Sequence, residues 1–150
     1  MAPIDAPEEI VNDASDNVCF GCSPHNAAGM QMTFRKLGPG QVESHCTVAP
    51  EHCGAPGIVH GGIQAVLLDE AMGMAIQARG DTPVYVVTAE FKLRYRRPVA
   101  VGVPLLVRGT LQRSEGRDAW VEGAICNAEG ERLTVAEARW REIASPEESG

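Results

Sequence analysis

The stretch that most constrains this chain is a glycine-rich turn that continues into a long apolar segment, from Gly57 to Met72. No proline interrupts the segment after His60, and Ala, Leu, Met, Gln and Ile recur in it, all of which are compatible with a helix. The sequence predicts a helix that begins near Gly61 or Gly62. It is expected to end near Gly80, because glycine suits the position that follows a helix.

This helix carries two features that suit chemistry on a bound molecule. The backbone N–H groups of a first helical turn have no partner within the helix and carry partial positive charge. Glycines at this point leave room for a ligand to approach the main chain. Asp69 then places a carboxylate in the middle of an otherwise apolar helix. An anion-stabilising helix start together with an acid is a catalytic arrangement.

Six extended segments surround the helix, two before it and four after it. They are Met30–Arg35, Gln41–Val48, Val84–Arg97, Val103–Arg113, Ala119–Cys126 and Arg132–Arg141. Short turns join consecutive segments, which predicts an antiparallel sheet of about six strands against which the helix buries its apolar face. The predicted fold class is therefore α+β. In the third segment, strict alternation places Thr88 on the face of Glu90 and Lys92, opposite Phe91.

Length and composition limit the organisation and the partners of the chain. Its 150 residues suit one domain, and its formal charge of −7 argues against a nucleic-acid or membrane-surface binder. We expect an acidic N-terminal arm over residues 1–17, with a short helix around Glu8–Val11 or no regular structure. A single domain over 18–142 and a flexible tail over 143–150 follow. The absence of a secretory pattern and of a membrane-spanning stretch predicts a cytoplasmic protein with reduced cysteines.

Cys19 and Cys22 form a C-x-x-C pair, with His25 close behind. This spacing allows three interpretations: a zinc site with His25 as a third ligand, a redox pair, or a compact turn whose thiols pack beneath a loop. The sequence contains no second C-x-x-C to complete a zinc site, and no strand–helix pattern typical of a redox motif. We favour the packed turn and expect neither a metal nor an organic cofactor.

The residues around the helix start resemble a known family. His60-Gly61-Gly62 followed by Leu67-Leu68-Asp69-Glu70-Ala71, with Cys19-Phe20-Gly21-Cys22 upstream and Arg94-Tyr95-Arg96-Arg97-Pro98 downstream, is similar to the hotdog-fold acyl-CoA thioesterases of the phenylacetate-pathway type. The resemblance covers roughly residues 18–142. It implies one central helix wrapped by an antiparallel sheet, and hydrolysis of acyl-CoA to free acid and CoA.

The resemblance also implies a role for individual residues. The backbone N–H of Gly61 binds the thioester carbonyl oxygen, with Gly62 beside it. His60 lies near the thioester sulfur, and Asp69 acts as general base or nucleophile. Thr88 positions the water or the carboxylate. Some relatives carry an asparagine six residues before the histidine where this chain has Gly54, which leaves open whether Asp69 attacks directly or through water.

Arg94 and Arg96, together with Lys92 and Arg97, concentrate positive charge in an acidic chain. Two interpretations are open. The cluster is either a patch for the phosphates of coenzyme A or a solvated strand face paired with acidic neighbours.

Helix geometry adds a requirement for assembly. Gly61 and Asp69 are eight residues apart, which places them ~12 Å apart along a helix and roughly 80° apart around it. A reacting carbon must lie ~3 Å from both its nucleophile and its oxyanion donor. One helix therefore cannot present both groups to one substrate, whereas two chains related by a twofold axis can. We expect a homodimer, assembled further into a homotetramer as a dimer of dimers.

Two alternatives to hydrolysis remain open on the sequence. One is a hotdog hydratase or dehydratase acting on enoyl thioesters, with His60 in a proton-transfer role. The other is a hotdog protein that binds acyl-CoA without catalysis. The glycine pair at the helix start, which suits binding of a carbonyl oxygen, favours hydrolysis.

Overall fold

A computed structural model of the chain describes residues 8–10 and 12–144. The elements of this part are the strands β1 (Glu8–Ile10), β2 (Phe34–Gly38) and β3 (Gln41–Cys46), the helix α1 (Gly61–Gln77), and the strands β4 (Tyr85–Tyr95), β5 (Leu105–Glu115), β6 (Asp118–Cys126) and β7 (Arg132–Ile143). A single 3-10 turn, Pro50–His52, precedes α1. None of the helices in the described ranges has the length and apolar character needed to cross a membrane.

The strands form one antiparallel sheet in the order β1-β2-β3-β5-β6-β7-β4. α1 lies across one face of this sheet, and its buried residues join the single apolar core. The predicted α+β class and the hotdog arrangement of one central helix wrapped by an antiparallel sheet are confirmed. The described part contains seven strands rather than about six.

Several elements differ in extent or in type from the sequence prediction. α1 ends at Gln77, before the predicted end near Gly80. β2 begins at Phe34 rather than Met30, because the N–H groups of Met30 and Met32 bond to carbonyls of the preceding turn, not to a strand. Glu8–Ile10 pairs with β2 as a strand, where a short helix or an irregular arm was expected.

Parts of the predicted arm and tail lie outside the described residues. These are residues 1–7, residue 11 and residues 145–150.

A pair of glycines lets α1 approach the sheet closely. Gly109 of β5 and Gly123 of β6 lie directly opposite each other in the sheet. A Cβ atom at Gly109 would overlap the carbonyl oxygen of Ala71 in α1, and one at Gly123 would lie 3.1 Å from Leu68 and Met72. The helix backbone therefore lies in a shallow depression that only glycine leaves open.

We predict that Gly109→Ala destabilises the protein by about 1–3 kcal/mol, the usual cost of overpacking, because the helix backbone must move away from the strand. The midpoint of urea unfolding measures the change. Gly80→Ala is the matched control, since a Cβ there meets no atom within 4 Å, and it should alter stability by less than ~0.5 kcal/mol. Equal midpoints for the two variants would contradict the close-approach argument.

Candidate active site

The loop before α1 folds back on itself and delivers His60 to the helix start. Gly54 N–H donates to the carbonyl of Ile58 and His60 N–H donates to the carbonyl of His52, both at 2.9 Å. A Cβ at Gly54 would lie 3.3 Å from the Cα atom of His60. The glycine at this position therefore lets the loop close tightly against the histidine.

His60 is the N-cap of α1. Its Nδ1 accepts the backbone N–H of Gly62 at 2.9 Å, so the neutral ring carries its proton on Nε2. The side chain thereby satisfies one of the orphan donors of the first turn. Among the described residues the N–H of Gly61 has no hydrogen-bond acceptor. Of the two glycines, Gly61 is the one whose N–H remains available to a ligand.

Three further hydrogen bonds hold the helix start in place. The hydroxyl of Tyr95 in β4 donates to the carbonyl of Gly61 at 2.9 Å. The buried Gln64 side chain donates to the carbonyl of Val59 at 3.1 Å and accepts from the hydroxyl of Thr134 at 2.6 Å. A buried polar network of this kind restricts α1 to one position along the sheet. The contact of Tyr95 could not be predicted from the sequence, since nothing in strand periodicity identifies a helix carbonyl as its partner.

Asp69 meets Thr88 across the gap between α1 and β4. The Thr88 hydroxyl donates to Asp69 Oδ1 at 2.6 Å, and the Asp69 side chain is half-buried. Burial raises the pKa of the Asp69 carboxyl, and the hydrogen bond from Thr88 opposes part of that rise. In the sequence, only the family resemblance links these two residues. The structure brings them together.

A β-bulge explains how Thr88 reaches the helix. Thr88 pairs with Trp140 and Glu90 pairs with Arg139, so Ala89 is an extra residue in β4. The bulge shifts the alternation by one position and turns Thr88 to the face shared with Phe91. Strict alternation predicts Thr88 and Phe91 on different faces of the strand. That prediction is wrong, because sequence periodicity does not reveal an extra residue.

A cavity of about 440 Å³ opens beside Asp69. Its walls include Asp69, Thr88, Phe20, Phe91, Ala65 and Val66. The remaining lining residues are Cys19, Gly21 and Glu70. The walls are largely apolar, as in sites that accept small organic groups. His60 and Gly61 do not line this cavity, so within one chain the helix start and the acid lie apart.

Glu70 also lines the cavity, although the sequence analysis gave it no role. Its Oε1 accepts from the thiol of Cys19 at 3.1 Å. Burial raises the pKa of Glu70 and also that of the Cys22 thiol beside it. A Cβ at Gly21 would overlap the Glu70 side chain. Gly21, between the two cysteines, is therefore the feature of the sequence that indicates close packing of another side chain against this loop.

His25 does not join this group, because its Nε2 lies 2.9 Å from the carbonyl oxygen of Asp13.

Arg94 and Arg96 lie on the other face of the sheet. They line a separate cavity of about 220 Å³ together with Lys92, Arg108 and Arg132. Because this face is turned away from α1, a single chain does not bring the two arginines to Asp69. The basic cluster foreseen in the sequence is present and extends onto β5 and β7.

Comparison with known proteins places these features in context. The family model described as "Thioesterase superfamily" matches residues 56–134. The acyl-coenzyme A thioesterase THEM4 of Rattus norvegicus is 32% identical over 80 residues, which are 53% of this chain and 33% of that protein. The match thus spans about a third of the length of that relative.

Solved structures resemble the chain over more of its length. A thioesterase superfamily protein is 33% identical, with a TM-score of 0.71, over 79% of this chain and 57% of that chain. The E. coli PaaI protein from the phenylacetic acid degradation operon is 16% identical, with a TM-score of 0.69, over 77% of this chain and 81% of its own. This last similarity concerns the fold alone.

Thr88→Val removes the hydrogen bond that lowers the pKa of Asp69 while preserving the shape of the side chain. We predict that the pKa of Asp69 rises further in this variant, since burial then acts unopposed. An NMR titration of the Asp69 carboxyl carbon measures the shift. Thr110→Val, on the face turned away from α1, should leave the Asp69 pKa unchanged. A fall of the Asp69 pKa in Thr88→Val would contradict the assigned hydrogen bond.

Proposed function

The chain belongs to the thioesterase superfamily, as its resemblance to hotdog-fold thioesterases predicted, and we propose that it hydrolyses acyl-CoA thioesters to free acid and CoA. The printed name of the rat relative, an acyl-coenzyme A thioesterase, supports this substrate class. The structure adds a site whose chemistry suits the reaction.

One observation carries the proposal. A half-buried carboxylate, Asp69, is held by a 2.6 Å hydrogen bond from Thr88 at the wall of an apolar cavity. A carboxylate in such surroundings has a raised pKa and is a stronger base when ionised than one in water. The cavity walls supplied by Phe20 and Phe91 suit the acyl group.

The reaction follows from these groups. Asp69 either removes a proton from a water that attacks the thioester carbonyl or attacks the carbonyl itself. The carbonyl oxygen gains negative charge in the tetrahedral intermediate, and the free N–H of Gly61 at the helix start stabilises it. The C–S bond then breaks, the thiolate of CoA leaves with the bonding electron pair and takes up a proton. If Asp69 attacked directly, water then cleaves the acyl–Asp69 anhydride.

The position of these groups supports a site shared between two chains. α1 is continuous from Gly61 to Gln77, so Gly61 and Asp69 stand ~12 Å apart along its axis. Gly61 is also absent from the walls of the Asp69 cavity. We propose that each site combines Asp69 of one chain with the Gly61 N–H of a second chain.

The edge strand β4 offers a surface for this pairing. β4 is eleven residues long and, in the described part of the chain, pairs only with β7. Its exposed side chains include Tyr85 at 54%, Val87 at 44% and Tyr95 at 53% of their surface. A long exposed edge of this kind readily pairs with another strand. We propose that two β4 strands pair antiparallel about a twofold axis.

This pairing explains the shared site, because two side chains of β4 make hydrogen bonds to the two groups concerned. Thr88 holds Asp69, and Tyr95, nearer the other end of the strand, holds Gly61. When two β4 strands run antiparallel, the Thr88 portion of one lies alongside the Tyr95 end of the other. Asp69 of one chain is thereby brought towards Gly61 of its partner. The further step to a tetramer, a dimer of dimers, stays a prediction.

The other predicted site residues take supporting roles in this proposal. His60 holds Gly62 N–H and leaves Nε2–H free to face the thioester sulfur. Gly54 gives the loop room to close against His60. Arg94 and Arg96 contact CoA phosphates, from the outer face of the sheet, where charge-assisted hydrogen bonds favour anions.

We predict that Asp69→Asn lowers kcat for acyl-CoA by about 10²-fold or more, as expected when a general base is lost.

We predict that Gly61→Pro lowers kcat by about 10²–10³-fold, because it removes the oxyanion N–H. Proline is tolerated at the first helical position, and the extended His60 backbone, with φ −55° and ψ 136°, suits the residue before a proline. Release of free thiol from a panel of acyl-CoAs, aryl-acetyl ones included, measures both losses.

Matched variants control for each change. Gly61→Ala keeps the N–H, and its Cβ would make ordinary contact with Tyr95 at 3.4 Å, so its activity should fall much less than that of Gly61→Pro. Asp81→Asn removes an exposed carboxylate outside the site. Undiminished thiol release by Asp69→Asn would refute the role of Asp69. Hydration of an enoyl-CoA without thiol release would favour a hydratase, and binding without turnover would favour an acyl-CoA-binding protein.

Subunit complementation tests the shared site. Asp69→Asn and Gly61→Pro chains are each inactive alone, but a mixed dimer would contain one doubly altered site and one intact site. Refolding an equal mixture should restore about a quarter of wild-type activity, since half of the dimers are mixed and each has one intact site. Sedimentation and mass measurements verify that mixed dimers form. Mixed dimers without activity, or an active monomer, would exclude a site built from two chains.

A further inference from the structure

Three side chains that can ligate a metal lie together beside the same cavity, and two of them, Cys19 and Glu70, are part of its wall. The Sγ atoms of Cys19 and Cys22 and a carboxylate oxygen of Glu70 all lie within 4.8 Å of one another. Cys22 is buried, and Cys19 and Glu70 are half-buried. The two thiols come from one loop and the carboxylate comes from α1, and the three groups converge on one point.

In the described part of the chain, the carboxylate of Glu70 has no cationic side chain as an ion-pair partner. Glu70 accepts a hydrogen bond from the Cys19 thiol, which is a weak donor. Among the residues the structure describes, no Lys, Arg or His forms an ion pair with Glu70. Asp69, the neighbouring residue in α1, adds a second negative charge nearby. A partly buried carboxylate in this setting attracts a cation.

The loop that carries the cysteines is held in place by its own hydrogen bonds. Ser23 N–H donates to the Cys19 carbonyl at 3.0 Å, and the Ser23 hydroxyl donates to the Asn17 carbonyl at 2.6 Å. The Gly21 carbonyl accepts the N–H of Met32 at 2.9 Å. Because this loop is ordered by these contacts, the two thiols are already placed beside Glu70 before any ligand binds.

The donor set favours a borderline-soft divalent cation. Two cysteines at C-x-x-C spacing are a common half of a tetrahedral zinc site, and a carboxylate oxygen is a suitable third ligand. In such a site, ligand atoms are separated by roughly 3.5–3.8 Å, given Zn–S ~2.3 Å and Zn–O ~2.0 Å. The observed separations, from 3.1 Å for Cys19 to Glu70 up to at most 4.8 Å, require only small side-chain adjustments.

We propose that Cys19, Cys22 and Glu70 bind one zinc ion, with a water molecule from the adjacent cavity as the fourth ligand. The ion takes the place of the two thiol protons, which pass to solvent, and its charge neutralises most of that of the two thiolates and the carboxylate. The bound ion links the 19–22 loop to α1. It therefore holds in place the part of the Asp69 cavity wall that this loop forms. This site does not depend on the proposed hydrolysis, and it differs from our expectation on the sequence alone that the thiols only pack.

Metal titration of the full chain tests the proposal. The protein is kept reduced with a phosphine, stripped with a chelator, and titrated with Zn²⁺ against a chromogenic competitor. We expect one ion per chain. Co²⁺ should give a thiolate-to-metal charge-transfer band and the visible bands of tetrahedral coordination. Cys19→Ser, Cys22→Ser and Glu70→Gln should each weaken zinc binding by about a hundredfold, the share of one ligand in a four-ligand site.

Cys53→Ser is the matched control, since Cys53 is exposed and lies in the loop before α1, and it should bind zinc as the wild type does. Circular dichroism verifies that each variant is folded; if a cysteine variant unfolds, Glu70→Gln, which keeps the side-chain shape, decides. Absence of stoichiometric binding, or binding that survives in Cys19→Ser, Cys22→Ser and Glu70→Gln, would overturn the proposal. So would a Co²⁺ complex without thiolate bands. None of these measurements uses thioesterase activity, so the two proposals fail separately.

Discussion

The close approach of α1 to the sheet is the constraint on which the rest of the structure depends. Gly109 and Gly123, paired across β5 and β6, leave a depression in which the backbone of α1 lies at Ala71 and Met72. A helix held at that distance cannot rotate without collision. Leu68 and Met72 face the glycines, and the adjacent position, Asp69, must then face elsewhere. The direction of the candidate catalytic carboxylate is thus a consequence of core packing.

The edge strand β4 contacts the candidate site residues of this helix. Its bulge at Ala89 turns Thr88 towards Asp69, and Tyr95 further along the strand reaches the carbonyl of Gly61. One strand therefore contacts the helix both at its start, Gly61, and at its middle, Asp69. The same strand is exposed along its outer edge, so the element that positions the two groups is also the surface available for pairing. In the proposed dimer, site geometry and assembly are linked through β4.

Two neighbouring carboxylates show how environment separates chemical roles. Asp69 and Glu70 are adjacent in sequence, but helix geometry directs them about 100° apart. Asp69 receives a hydroxyl donor from β4, whereas Glu70 lies under the cysteine loop and accepts the Cys19 thiol. Burial raises the pKa of both, and the charge of Asp69 adds to the effect at Glu70. The first arrangement suits a base, and the second suits a cation ligand.

The sequence by itself determined a helix start near Gly61 or Gly62, the antiparallel pairing of the main strands and the resemblance to the family, because glycine placement, apolar periodicity and the His-Gly-Gly to Asp69 spacing are local signals. The order of the strands within the sheet came from the structure. Helix spacing also predicts that Gly61 and Asp69 serve different sites, and this stays a prediction. Only the tertiary structure decided the face of Thr88, the contact of Tyr95 and the convergence of Cys19 and Cys22 on Glu70. Each of these depends on an extra residue in a strand or on a contact between distant segments, and periodicity within one segment carries no information about either.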